Sequence, residues 1–189
     1  RLIRFMSLTL KGRKGGLGGA MILSSGVFGA ISGTATAAVA SIGTIMVDPL
    51  AARGYPRGYT SALLGVSSLL GILIPPSITL ILFGVVTKQS ITALFAATVV
   101  PGLMLMVGLL LFNKWTTRRI LKDTPERLAA LKAQENGDSG LRATLRAAPA
   151  LMMPVIILGG IYGGVFTPTE AAAVALFLAI LIGFFIYRD

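Results

Sequence analysis

An all-α integral membrane fold is the architecture this sequence predicts, and three observations carry the prediction. The 189-residue chain is 54% hydrophobic and 13% charged, with a mean hydropathy of +0.84. That composition belongs to membrane proteins. Two long runs, Gly15 to Val47 and Gly58 to Thr87, contain no charged residue. The 17 Lys and Arg residues stand between the apolar runs, the placement that records membrane orientation. They form no patch interleaved with aromatics, so the net charge of +10 does not point to nucleic acid as a partner. With no Cys and no His, disulfides, thiolate catalysis and imidazole metal sites are excluded within this chain.

The elements follow in order. Residues 1–14, "RLIRFMSLTLKGRK", read as an amphipathic arm along the cytoplasmic interface. The first uncharged run is 33 residues long, too long for one untilted span of about 20 residues and too short for two. It is interrupted at "ISGTATA", where Gly33 can end one helix and Ser32 or Thr34 can cap the next. Residues 15–50 therefore read as a re-entrant helical hairpin, with basic residues on both flanks (Lys11, Arg13 and Lys14 before, Arg53 and Arg57 after). Gly26, Gly29 and Gly33, continued by Ala35, Ala38 and Gly43, give it a small-residue face for close helix packing. Asp48-Pro49 reads as an N-cap followed by a first-turn proline.

Residues 51–89 read as a transmembrane helix broken by "IPPS", Ile74 to Ser77. Proline donates no backbone hydrogen bond and clashes with the preceding turn. Residues 90–113 return as an unbroken span. Residues 114–147, with eight Lys/Arg and four Asp/Glu between Lys114 and Arg146, read as a basic cytoplasmic arm anchored at Trp115. Residues 148–189 supply two more spans. Thr167, Pro168 and Glu170 read as a capping box opening the last of them. On this parity 16 of the 17 basic residues share one side, leaving Lys88 alone on the other, and the basic side is assigned to the cytoplasm. Both chain ends are expected to lie inside a longer membrane protein.

Unwound backbone within a bilayer survives only where it is buried in protein or lines a cavity. Two such places occur here, the hairpin tip and the double proline. Free carbonyls with Ser and Thr hydroxyls suit a hard cation such as sodium, and half-helix N-termini suit an anion. The candidates are Ser32, Gly33, Thr34 and Thr36 at the tip, Ser67 and Ser68 before the break, Pro75 and Pro76 in it, and Ser77 and Thr79 after it. Sodium is expected near Ser32, Gly33 and Thr34. The competing reading of the prolines is a kink that serves packing alone.

"AISGTATAAVASIG", the following "RGY", "GILIPPSITLILFG" and "GGIYGGVFTPTEAAAVA" resemble, in order and spacing, the large membrane subunit of tripartite ATP-independent periplasmic (TRAP) transporters. The likeness covers nearly the whole chain and is weakest over the basic arm. It implies an elevator-type transporter with inverted repeats in the bacterial inner membrane. It also implies sodium-driven uptake of organic acids such as C4-dicarboxylates or sialic acids, with sodium as the coupling ion and no other cofactor. The implied partners are a periplasmic substrate-binding protein and a small four-helix membrane subunit, separate or fused. The resemblance carries a role in the ion and substrate region to Ser32, Gly33, Thr34, Thr36, Pro75, Pro76 and Ser77. The family's second hairpin, second broken helix and first scaffold spans have no counterpart in this sequence. The nearest rival is a sodium–dicarboxylate symporter that works without a binding protein, and a channel is a further one. An enzyme is disfavoured, since no intramembrane carboxylate pair or His supplies a general base.

Overall fold

A computed structural model describes residues 15–120 and 152–186, and these residues are helical almost throughout. The expected arms at 1–14 and 114–147 therefore lie wholly or largely outside the described residues. Helix α1 (Gly16–Ser32) ends at Gly33, whose φ of 67° is left-handed and whose N–H bonds to the Gly29 carbonyl. Thr34 follows in an extended conformation and accepts from the Ala37 N–H, opening α2 (Ala35–Ala52). One residue thus stops a helix because it tolerates positive φ, and the next starts one because its hydroxyl replaces a missing backbone partner.

Helix α2 runs through Pro49, where the sequence predicts a helix start at Asp48-Pro49. Pro49 lies in the last turn, so the N–H it lacks leaves open only one carbonyl near the helix end. Leu50, one residue on, is fully buried, and its carbonyl accepts from the Tyr55 N–H. Burying a leucine is worth about 1.5–3 kcal/mol, comparable to the roughly 3 kcal/mol a helical proline costs. Tertiary packing offsets the local signal.

Helix α3 (Arg57–Ser68) passes through Leu69, itself in helical geometry, into the single turn α4 (Leu70–Leu73). Ile74 and Ser77 are extended around the two prolines, joined by a cis peptide bond, and α5 (Ile78–Thr87) resumes at an angle of 44°. Lys88 closes α5 in a left-handed conformation. Helix α6 (Ile91–Ile120) is 30 residues long and continues past residue 113, where the sequence ends the span. Met152–Tyr162 forms α7, and α8 (Pro168–Leu181) is opened by the capping box expected at Thr167 and Glu170. A π-helical turn, Ile182–Ile186, follows it.

Helices α1 to α4 and α6 share one core, built on Met21, Ile22, Ile42, Met46, Leu64 and Leu109. A second cluster sets Phe95 of α6 against Ile157, Ile161 and Ala171, with Leu80 and Ile81 of α5 beside it. The outer faces are apolar as well: Val86 is 80% exposed and Met104 71%. A water-soluble surface does not carry such a face on this scale, whereas lipid accepts it. The helices Ala35–Ala52 and Ile91–Ile120 are each long and apolar enough to cross a membrane, and the bent pair Arg57–Leu73 and Ile78–Thr87 makes a third span if taken as one.

Candidate functional site

The two legs of the α1–α2 hairpin return to the same end of the bundle, and a buried amide closes that end. Asn113, only 2% exposed, donates from Nδ2 to the Gly15 carbonyl at 2.9 Å. Its Oδ1 accepts from the Tyr59 hydroxyl at 3.0 Å and from the Thr117 hydroxyl at 3.3 Å. Tyr59 stacks on Tyr55, just beyond the end of α2. Three chain segments therefore meet around one side chain. Sequence reasoning missed this residue, although an amide closing the uncharged run Ile91–Phe112 was a signal in plain view.

From that closed base both discontinuities lie at the same depth. Seventeen residues of α1 lead to the tip, and Arg57–Leu73 also spans seventeen residues to the break. At 1.5 Å per residue each path is roughly 25 Å. The tip and the break therefore meet. The Gly33 carbonyl accepts from the Ile78 N–H, the first helical residue of α5, at 3.3 Å.

The contact needs an absence of side chains. A Cβ on Gly29 would stand 2.3 Å from the Gly71 Cα, and one on Gly71 would stand 2.8 Å from the Thr34 carbonyl oxygen. Two backbones touch here with nothing between them, the approach that glycine permits. At Gly33 an added Cβ would also lie 2.9 Å from the Pro76 carbonyl oxygen.

The candidate residues divide on this geometry. Ser32, Gly33 and Thr34 gather at the tip, where the Ser32 hydroxyl reaches the Thr34 carbonyl at 3.4 Å. Pro75, Pro76 and Ser77 face them across the Gly33–Ile78 bond. Ser77 is fully buried, and its hydroxyl has no hydrogen-bond partner among the described residues. A buried hydroxyl without a partner costs on the order of 1–3 kcal/mol; the hydroxyls of Ser24, Ser25 and Thr116 share this state, and what sets Ser77 apart is its place next to Ile78 at the junction. Thr36 and Thr79 instead lie exposed on their helices. Ser67 and Ser68 are buried but turned back on their own helix, donating to the Leu63 carbonyl at 2.6 Å and the Gly65 carbonyl at 2.7 Å. No described contact joins either to the tip. Chemically, the arrangement offers neutral oxygens and a half-helix N-terminus, the groups from which discontinuous membrane helices build ion and anion sites.

Asn113→Leu tests the closed base. It removes three hydrogen bonds and takes from the Tyr59 and Thr117 hydroxyls the acceptor they share, while the Gly15 carbonyl keeps the Gly19 N–H, at an expected cost of about 1–3 kcal/mol. The thermal midpoint of the detergent-solubilised protein should fall clearly, whereas Thr36→Ala, on an exposed position, should leave it within error.

The chain was compared with known proteins. The family model described as "Tripartite ATP-independent periplasmic transporter, DctM component" matches residues 1–189. The C4-dicarboxylate TRAP transporter large permease protein DctM of Vibrio cholerae is 38% identical over 189 residues, covering 100% of this chain and 40% of the relative. The isethionate TRAP transporter permease protein DctMQ of Oleidesulfovibrio alaskensis is 36% identical over 189 residues, covering 100% of this chain and 29% of the relative. The ectoine TRAP transporter large permease protein TeaC of Halomonas elongata is 36% identical over the same length, covering 100% of this chain and 43% of the relative. The chain thus spans less than half the length of these curated relatives.

Proposed function

The chain belongs to the DctM-component family of tripartite ATP-independent periplasmic transporters, and from that membership we propose that it carries one half of the ion and substrate site of a sodium-coupled permease. The observation that carries the proposal is the junction of tip and break. The Ile78 N–H holds the Gly33 carbonyl while the buried Ser77 hydroxyl beside it has no partner among the described residues. Ser32, Thr34 and Ser77 with neighbouring carbonyls supply neutral oxygen donors, the kind a hard cation takes. The N-terminal end of α5 carries the positive end of a helix dipole and attracts an anionic group. Sodium is the coupling ion in this reading, and the cargo is an organic acid such as a C4-dicarboxylate or a sialic acid.

The whole permease works in the bacterial inner membrane. It takes its cargo from a periplasmic binding protein and pairs with a small four-helix membrane subunit, separate or fused. The hairpin enters and leaves the bilayer on one face, which the closed base around Asn113 and the basic flanks support. Tip and break move together as one body in an elevator-type transition. The backbone contact of Gly29 with Gly71 supports this reading, since two surfaces packed without intervening side chains leave little room to slide.

Ser77→Ala tests the site. Sodium-driven uptake is measured in proteoliposomes containing the full-length permease, its small subunit and the binding protein. The substitution removes one hydroxyl and leaves the break intact, so the sodium concentration for half-maximal uptake should rise by about three- to tenfold, the scale of one hydrogen-bonding group. Thr79→Ala, on the exposed face of the same helix, should match wild type. An unchanged sodium dependence in Ser77→Ala at equal protein level would remove Ser77 from the site.

A further inference from the structure

We propose that residues 112–119 of α6 are a binding site for the phosphate group of an anionic phospholipid. The uncharged stretch Ile91–Phe112 has 22 residues, about 33 Å of helix, which matches the roughly 30 Å hydrocarbon layer. Whatever follows Phe112 therefore stands among the lipid headgroups. The helix has two faces there. Asn113 and Thr117 are buried against the bundle. Leu111, Phe112, Trp115, Arg118 and Arg119 are exposed on the other side. Along that outer face the side chains pass from aliphatic to aromatic to basic within two turns, following the change from acyl chain to headgroup.

Trp115 and Arg119 are held together. The Arg119 guanidinium lies 4.1 Å from the centre of the indole ring, and Phe112 packs on the other side of the turn against the same indole. Stacking orients a guanidinium without using its in-plane N–H groups. Those donors form a planar fork suited to phosphate, with Lys114 and Arg118 on the same stretch of helix, and among the described residues no carboxylate lies on this turn. The tether from Tyr59 to Asn113 brings the start of α3, with Arg57, to the same end of the bundle.

The site is tested by native mass spectrometry of the full-length permease in detergent, supplied with phosphatidylglycerol or with phosphatidylcholine of the same acyl chains. Wild type should retain phosphatidylglycerol in preference to phosphatidylcholine. Arg118→Gln combined with Arg119→Gln should reduce retained phosphatidylglycerol by roughly tenfold or more, since each basic residue near an anionic surface contributes appreciably to binding. Arg119→Lys keeps the charge, loses the planar fork, and should fall between the two. It also serves as the second variant if the double substitution lowers the yield. Retention should survive millimolar inorganic phosphate. Equal retention of both lipids by wild type, equal phosphatidylglycerol retention by the double variant, or displacement by inorganic phosphate would each overturn the proposal. Uptake is not the readout, so the result is independent of the ion site.

Discussion

Gly29→Ala is expected to abolish sodium-driven uptake and to destabilise the protein. The added methyl would stand 2.3 Å from the Gly71 Cα and 2.8 Å from the Gly71 nitrogen, and a backbone cannot swing aside as a side-chain tip can. Overpacking a core commonly costs about 1–3 kcal/mol, and here the only relief is to move the whole hairpin away from α4. That movement also breaks the bond between Gly33 and Ile78, so stability and function should fall together. Gly65→Ala is the control. A Cβ at that position meets nothing within 4 Å, and alanine in a helix interior gains up to about 1 kcal/mol over glycine. The two variants carry the same chemical change in neighbouring helices, with opposite expected signs. They are read by thermal unfolding of the detergent-solubilised protein and by uptake in proteoliposomes. Wild-type stability and uptake in Gly29→Ala would mean that hairpin and broken helix do not touch at this pair.

Pro75→Ala combined with Pro76→Ala should separate the two properties. With both prolines gone, Ile74 loses its bias toward extended backbone and residues 74–77 regain two N–H donors. The helix can then continue from Leu73 into Ile78, with stability held or raised, because a helical proline costs about 3 kcal/mol. In the process the Ile78 N–H turns to the carbonyl of residue 74 and leaves Gly33. Ser77 moves from its extended setting onto a helical face. Uptake should drop at least about tenfold, equivalent to ~1.4 kcal/mol, at matched protein level and with partner subunits and binding protein present. Wild-type uptake in this variant would make the break a packing feature and remove the functional reading of the junction.

Much of this molecule is legible without coordinates, and what is legible is local. Helices are set by hydrogen bonds within one segment, and membrane helices by a composition that neither water nor a small core would tolerate. The stop at Gly33, the break at Pro75-Pro76 and the capping box at Thr167 and Glu170 each rest on the chemistry of one to four adjacent residues, so each could be read directly, while the start of α2 was narrowed to Ser32 or Thr34 and the structure selects Thr34. The reading failed where a distant contact outweighed the local preference. Pro49 stays inside a helix because Leu50 is buried in the core.

Tertiary structure alone decided which of the breaks and small residues meet. Gly29 and Gly71 are 42 positions apart, and Asn113 lies 98 positions from Gly15. Sequence offers glycine as a place where backbones can approach and asparagine as a group that must be satisfied if buried, but the partner depends on how whole helices stack. A helix carries its tip roughly 25 Å from its base. Hairpin and broken helix start from the same closed end and have equal lengths, so their two interruptions arrive at one place and a candidate site exists between them.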